Sequence, residues 1–457
     1  MINQDKPLIP TSEIAFNLPE IHQFKLSNGI CIHLVNRPKL PIVQLTIMMD
    51  GGSRFDPKGK EGLAYINSIL MDEGAGPYDS LQINEEIEIL GSSVNVSIDD
   101  DSLYVSMLSL VENLEKTINL TKYIICEPRF DQADFDREKQ KILSWLPQVQ
   151  NYPDLVAENI FQFVLHGEEN PYSKYSAGYI DSIESIQLED VINFNKNFVA
   201  PDNMDFIIVG CIDLETATVL IEKHFGLFNR KAVKTEVKSN AQLGKKSLYI
   251  YDNKGANQSE IKYGHISDKR NSEDYYAKMI CNKILGGQFT SRLNLNLREE
   301  KGLTYGINSA FRYYKEAAEF CISTSVNSDA TIKALIEIEN EVTGMKLNIS
   351  DDEINFAKLS LIREFPSRFE TNSQIVTNIA VKIKYDLEED SLNTFVENVS
   401  KVVKEDVIEV SKKSFKTDNA IIVVVGDQKS IENQLKEVEL NYEIIEVDYN
   451  GKIINNS

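Results

Sequence analysis

The side chains that most often carry metal or nucleophilic chemistry are few in this sequence and widely scattered. Histidines and cysteines number five each: His22, His33, His166, His224 and His265, and Cys31, Cys126, Cys211, Cys281 and Cys321. No two histidines have the spacing of a ligand pair, and no cysteines form a CxxC unit. Gly286-Gly287 lacks the Lys-Ser/Thr that ends a phosphate-binding loop, so it indicates a turn. These patterns favour buried free thiols over a disulfide framework or a thiolate metal site.

The run DGGSRFDPKGKEGLAYINSIL, residues 50–70, resembles a signature of the pitrilysin/insulinase family of zinc peptidases. In that family a Gly-Leu-Ala leads into a helical H-x-x-E-H, in which two histidines bind zinc and the glutamate takes a proton from the metal-bound water. The resemblance places Tyr65, Ser68 and Ile69 at the His, Glu and His positions. Tyr is a weak ligand at neutral pH, Ser has no basic group and Ile has no lone pair.

The family's third zinc ligand is a glutamate on a later helix, at the end of a stretch that FDREKQKILSW, residues 135–145, resembles. The resemblance places Trp145 at that ligand position and matches Glu138 to a second family carboxylate. One carboxylate cannot hold a zinc ion alone. We therefore expect no metal in this chain, and we expect the two helices to pack directly together at the degenerate positions.

A second stretch, CNKILGGQFTSRLNLNLREEKGLTYGINSAF (281–311), resembles the family segment in which an arginine and a tyrosine approach the scissile bond. Here they are Arg298 and Tyr305. The resemblance implies that Arg298 lies near a helix end, that Gly302 terminates this helix, and that Tyr305 opens a strand. A guanidinium can fix substrate carbonyls, and a phenol can donate to a forming oxyanion. On spacing alone, an ordinary solvated helix end remains an alternative.

Internal repetition indicates how these stretches are positioned. Residues 189–210 and 405–426 match at a constant offset of 216, and each reads as an amphipathic helix, a turn and a β-branched strand closed by glycine. Residues 130–139 and 349–358 match at an offset of 219. Two matches at nearly equal offset predict a duplicated domain of about 200 residues.

Within each half, hairpins and strands alternate with blocks of helices. FKLSNGICIHLV predicts a hairpin whose Asn28-Gly29 pair takes positive φ, and SSVNVSIDDDSLYVSML predicts a second hairpin. The predicted class is α+β, with two homologous domains that each have a mixed or antiparallel sheet and helices packed on one face. The predicted boundaries are an N-terminal domain over 1–228, a polar linker over 229–246 and a C-terminal domain over 247–457.

The bulk properties exclude some classes of function. A formal charge of −22 argues against nucleic acid and against anionic membrane surfaces. No apolar run is long enough to span a bilayer. Because no secretory signal is visible at the start of the sequence, we expect a cytoplasmic protein, or a periplasmic one whose signal is missing from this sequence.

The resemblance, which extends over about residues 20–440, favours one function and leaves two open. The first is the zinc-less subunit of a heterodimeric, processing-peptidase-like enzyme, inactive alone. In this case the partner is a homologous chain with an intact H-x-x-E-H that holds the zinc, and the substrate is an extended peptide. The alternatives are an inert scaffold with the peptidase fold and a solitary peptide-binding protein. A homodimer without the partner also stays open.

Overall fold

The structure is a computed structural model that describes residues 18–241, 243–438 and 442–454. The ends of the two predicted domains (1–17 and 455–457), one linker position (Gln242) and residues 439–441 lie outside the described residues. Within the described part of the chain, no helix has the length and apolarity that a bilayer span requires.

The first half of the chain forms a six-stranded sheet with the order β1-β2-β8-β3-β7-β6 and a separate two-stranded β4-β5 ladder. β2 and β8 are parallel and the other neighbours are antiparallel, so the sheet is mixed. The strands are β1 (His22–Lys25), β2 (Cys31–Asn36), β3 (Ile42–Asp50), β4 (Gly74–Ala75), β5 (Tyr78–Asp79), β6 (Ser93–Ile98), β7 (Ser102–Leu110) and β8 (Asp205–Gly210). The helices are α1 (Leu63–Leu70), α2 (Ser80–Ile89), α3 (Leu114–Cys126), α4 (Gln132–Trp145), α5 (Pro153–His166), α6 (Ile180–Ser185), α7 (Leu188–Phe198) and α8 (Leu214–Phe225).

The second half forms another six-stranded mixed sheet, with the order β11-β12-β10-β13-β9-β14. Its strands are β9 (Ser247–Asp252), β10 (Gln258–Ile266), β11 (Thr304–Tyr313), β12 (Ala318–Asn327), β13 (Ile421–Gly426) and β14 (Glu443–Glu446). Its helices are α9 (Tyr275–Leu285), α10 (Thr331–Leu347), α11 (Asp351–Glu364), α12 (Asn372–Lys384), α13 (Phe395–Lys401), α14 (Lys404–Ser414) and α15 (Gln428–Leu435), with a π-helical turn over Asn294–Glu300 before β11.

The two halves share one topology. From the outer edge inward, β6-β7-β3-β8-β2 corresponds to β11-β12-β10-β13-β9. The bounds of α7 and β8 differ from those of α14 and β13 by 216 residues, and the bounds of α4 and α11 differ by 219. The predicted α+β class with two homologous domains is confirmed.

Each sheet also receives a helix from the other half. The helices of each half pack on one face of their own sheet, whereas α5 packs on the reverse face of the second sheet and α12 on the reverse face of the first. The central strands are apolar on both faces for this reason. In β8, Phe206 and Ile208 face the helices of the first half, while Ile207 and Val209 face the core that includes α12.

The turn of the first predicted hairpin differs from expectation in one residue. β1 and β2 pair antiparallel, and Gly29 has a φ of +110°. Asn28 is not among the described residues with positive φ. Its side-chain amide instead donates to the Phe225 carbonyl at 2.8 Å, which ties the turn to the end of α8.

The segment between α8 and β9 forms no helix or strand in its described residues. It follows the surface of the first half, where the Val233 amide donates to the Asn197 carbonyl at 2.8 Å. The Asn170 side chain donates to Ser239 Oγ at 2.9 Å. The assignment of 229–246 as a linker between two domains stays a prediction.

Candidate functional site

Helix α1 carries the three positions that the sequence resemblance assigns to H-x-x-E-H, and Asp56 fixes where the helix begins. The Asp56 carboxylate accepts the backbone N–H groups of Gly62 at 2.7 Å and Ala64 at 2.8 Å. Burial raises the pKa of Asp56 to about 8, although these amide hydrogen bonds oppose the shift. Gly62 has a φ of +96°, and an added Cβ would lie 2.8 Å from the Ala177 carbonyl oxygen, so the start of α1 is held tightly.

The degenerate positions lie in one largely apolar cluster. Tyr65 and Ile69 are partly buried against the core between α1, α4 and α7, and so is Trp145 at the end of α4. The Trp145 ring stacks on Tyr175, with centroids 6.2 Å apart. Ser68 is buried, and its hydroxyl donates to the Tyr65 carbonyl at 2.8 Å. The helix pair therefore packs together here through side chains.

The side chains at these four positions do not fit a zinc ion. They offer a tyrosine, a serine whose hydroxyl is hydrogen-bonded to its own helix, and two apolar groups, whereas zinc takes Cys, His and carboxylate ligands. Burial, followed by the nearby Tyr65, raises the pKa of Tyr175 to about 12. Among the described residues, no three His, Cys, Asp or Glu side chains form a group that could hold a metal.

Glu138, the matched family carboxylate, is engaged in ion pairs. It is buried on α4 and contacts Arg137 at 2.9 Å and Lys141 at 2.7 Å. Burial, and then the charges of Glu73 and Glu138, raise the pKa of Asp72 to about 6. Glu138 is therefore a buried carboxylate whose charge is paired with two cations, Arg137 and Lys141, that extend to the surface.

Arg298 and Tyr305 lie in the second half, away from the α1–α4 cluster in sequence and in fold. Arg298 belongs to the π-helical turn Asn294–Glu300, and Gly302 follows it with a φ of +61°. Tyr305 is the second residue of β11, the outer strand of the sheet, and it is 91% exposed. The resemblance implies that the helix ends at Gly302 and that Tyr305 opens the strand; the helical turn ends at Glu300, two residues before Gly302, and β11 begins at Thr304, one residue before Tyr305. The π-helical geometry was not predicted.

A polar cleft of about 730 Å³ opens beside Arg298 and the start of β11. Arg298 and Phe289 line one side, and β10, β11 and β12 form the floor. Lys262 on the floor pairs with Glu158 of α5 at 2.5 Å. Burial raises the pKa of Glu260, the neighbouring floor carboxyl. The cleft presents donors, acceptors and both signs of charge, as a surface for an extended polar chain would.

The histidines show no ligand arrangement within the described residues. His33 contacts Asp205 at 3.0 Å, and His166 contacts Glu319 at 3.1 Å across the two halves. His265 accepts the Lys416 amide at 3.1 Å, and burial lowers its pKa to about 3. These contacts are structural.

Comparison with known proteins gives the family. The family model described as Insulinase (Peptidase family M16) matches residues 31–171, and the model described as Peptidase M16 inactive domain matches residues 185–361. The first match lies within the first half of the chain, and the second runs from the end of the first half into the second half. The chain belongs to the M16, or pitrilysin/insulinase-type, peptidase family. Residues 31–171 contain the degenerate zinc positions, and residues 185–361 contain Arg298 and Tyr305.

M16 relatives align along most of the chain. An uncharacterized zinc protease of Rickettsia bellii is 25% identical over 88% of this chain and 96% of its own length. The mitochondrial-processing peptidase subunit beta of Saccharomyces cerevisiae is 21% identical over 92% of this chain and 94% of its own. A Helicobacter pylori protein named non-peptidase homolog YmxG is 20% identical, covering 86% and 94%. By name, these three relatives are an uncharacterized zinc protease, a peptidase subunit and a non-peptidase homolog.

A solved M16 structure confirms the fold. The peptidase M16 inactive domain from Pseudomonas fluorescens superimposes with a TM-score of 0.83 at 22% identity, covering 89% of this chain and 98% of that one. At this identity the likeness concerns the fold alone, so the function rests on the side chains described above.

Proposed function

We propose that this chain is the zinc-less subunit of a heterodimeric metallopeptidase and that it supplies Arg298 and Tyr305 to a peptide bound at its partner's zinc site. The observation that carries the proposal is a contrast within one molecule. The positions that correspond to the zinc ligands are filled by an apolar cluster. Arg298, by comparison, lines an open polar cleft, and Tyr305 is 91% exposed on β11 next to Gly306, which also lines the cleft.

The chemistry assigned to the pair needs no metal in its own chain. A guanidinium donates several N–H groups in a fixed plane, which suits it to hold substrate carbonyls. The Tyr305 hydroxyl, on a side chain that is 91% exposed, donates to an oxyanion as it develops on the scissile carbonyl. Donors of this kind lower the barrier because they are oriented before the charge forms.

The names of the relatives support a subunit role. The yeast relative is by name the beta subunit of a processing peptidase. The Helicobacter pylori relative is by name a non-peptidase homolog, so at least one relative that aligns along most of this chain is named as lacking peptidase activity. The partner we propose is a homologous M16 chain with an intact H-x-x-E-H, and the substrate is an extended peptide. Without that partner, the chain is expected to be inactive and to form at most a homodimer.

Reconstitution with a zinc-bearing M16 chain from the same genome tests the proposal. The mixed complex should cleave an internally quenched peptide pool, and this chain alone should not. Arg298→Ala and Tyr305→Phe should each lower kcat by about 100-fold, with assembly of the complex unchanged by size-exclusion chromatography. A complex whose turnover ignores both substitutions would contradict the proposal.

An inert scaffold or peptide-binding protein is the second candidate. The poor fit of the donor set to zinc and the name of the Helicobacter pylori relative favour it. It predicts a stable complex, or peptide binding by the chain alone, with no hydrolysis whichever partner is added. The reconstitution assay therefore separates the two candidates directly.

A further inference from the structure

The side chain of Arg298 is held by an aromatic ring. Its guanidinium carbon lies 4.3 Å from the centroid of Phe289. Its ion-pair partner is the adjacent residue, Glu299, with Nε and Oε1 3.4 Å apart. Phe289 is 61% exposed, so burial in a core does not account for a phenylalanine at this position.

The backbone around Phe289 is fixed by close contacts. A Cβ on Gly286 would lie 2.5 Å from Ser309 Oγ of β11, so the loop before Phe289 passes directly against the strand that carries Tyr305. The buried amide of Asn294 donates to the Ile307 carbonyl of β11 at 2.7 Å. The same amide donates to the carbonyl of Gln288 at 3.3 Å. The loop, the π-helical turn and β11 therefore form one frame.

We propose that Phe289 is a positioning residue for Arg298, an inference that rests on the proposed function. A free arginine side chain loses considerable rotamer entropy when it is ordered on a substrate. The face of an aromatic ring attracts the face of the guanidinium group. This contact uses none of the N–H groups, which point outward in the guanidinium plane. Phe289 thus orders the side chain of Arg298 and leaves its Nη donors available to a peptide, because the Glu299 carboxylate approaches Nε alone.

Kinetics of the reconstituted complex test the role. Phe289→Leu keeps an apolar side chain but removes the ring. It should lower kcat by about three- to tenfold with KM little changed, because the cation–π contact that orders Arg298 is lost. Phe289→Trp keeps a ring face and should restore kcat. Phe356→Leu, which alters another exposed phenylalanine on α11, serves as the matched control and should leave kcat unchanged.

Nuclear magnetic resonance of the chain labelled with ¹⁵N-arginine tests the contact without any partner. The Arg298 Nε–Hε signal, assigned by its loss in Arg298→Ala, should be shifted upfield by the ring and should move downfield in Phe289→Leu but not in Phe356→Leu. An unmoved signal would overturn the contact. If kcat stays unchanged in Phe289→Leu while Arg298→Ala is inactive, the positioning role is wrong and the proposed function stands. Unchanged kcat in both variants would overturn the proposed function and the inference together.

Discussion

Ser68, which the family resemblance places at the glutamate position of H-x-x-E-H, has a structural role in this chain. Its hydroxyl donates to the backbone carbonyl of Tyr65 within the same helix, and a serine hydroxyl is not a base at neutral pH. Ile69 and Trp145 add apolar area to the same cluster, and each partly buried side chain of this size stabilises the fold by about 1 kcal/mol or more. The side chains at these positions contribute packing.

Reinstating the ligands tests the assignment of these positions. The variant Tyr65→His, Ser68→Glu, Ile69→His, Trp145→Glu should gain a site for about one zinc ion, because two histidines one helical turn apart and a glutamate from the facing helix form a zinc ligand set. Zinc content after gel filtration measures it. The triple variant that keeps Trp145 is the control and should bind at least about tenfold more weakly. A folded quadruple variant that binds no zinc would show that the positions do not correspond.

The residue-level predictions were possible where the signal is local in sequence. Tyr65, Ser68 and Ile69 follow a Gly-Leu-Ala within eight residues, and Arg298 and Tyr305 lie in one stretch. The contacts of Phe289 with Arg298 and of Trp145 with Tyr175 had no such signal. They depend on how a loop folds back onto a helix, which no periodicity or composition rule encodes.

At the scale of elements, the position of α1 depends on the loop before it. Gly62 lies against the Ala177 carbonyl and the Ile183 side chain, whose nearest atoms would be 2.8 and 2.6 Å from an added Cβ. A side-chain rotation could relieve neither the strain of the positive φ nor the clash of an added Cβ with the backbone oxygen of Ala177.

We expect Gly62→Ala to lower the free energy of unfolding by about 2–4 kcal/mol, because backbone strain and overpacking add. Gly59→Ala is the matched control: its φ is also positive, at +79°, but an added Cβ would meet nothing within 4 Å, so the loss should be only about 1 kcal/mol. Chemical denaturation followed by circular dichroism measures both. Equal losses would mean that the contact with Ala177 is not rigid.

Elements with strong local patterns were predictable, and their partners were not. The helix–strand pairs α7–β8 and α14–β13 were visible as a repeat because amphipathic helices and apolar strands have distinct periods. It was not predictable that α5 covers the sheet of the second half and that α12 covers the sheet of the first half. Their apolar faces show only that something is buried, and the continuous apolar runs of β8 and β13 show only that both faces of a sheet are covered.

At the scale of the whole molecule, ion pairs join the two halves. Glu158 of α5 contacts Lys262 and Arg312 of the second sheet. Burial alone would raise the pKa of Glu158, but the two cations outweigh it and lower the pKa to about 2. Its ionised form is therefore favoured by the folded chain.

Glu158→Gln should lower the free energy of unfolding by about 2 kcal/mol at pH 7, because it leaves two cations without their shared carboxylate. A depressed pKa gives stability that is present above the unfolded pKa of about 4.5 and is lost as the pH falls toward 2. The difference between variant and native chain should thus shrink steadily between pH 5 and 3. Asp154→Asn, an exposed change on the same helix, is the control and should stay within about 0.5 kcal/mol. A pH-independent difference would contradict this account of the ion pair.

Zinc analysis combined with a cleavage assay tests the central claim most directly. The purified chain, incubated with zinc and passed over a desalting column, should retain far less than one ion per molecule and should not cleave an internally quenched peptide pool. Its complex with a zinc-bearing M16 chain should retain one ion per pair and should cleave the pool. One tightly held zinc ion in the isolated chain, accompanied by unaided cleavage, would contradict the account.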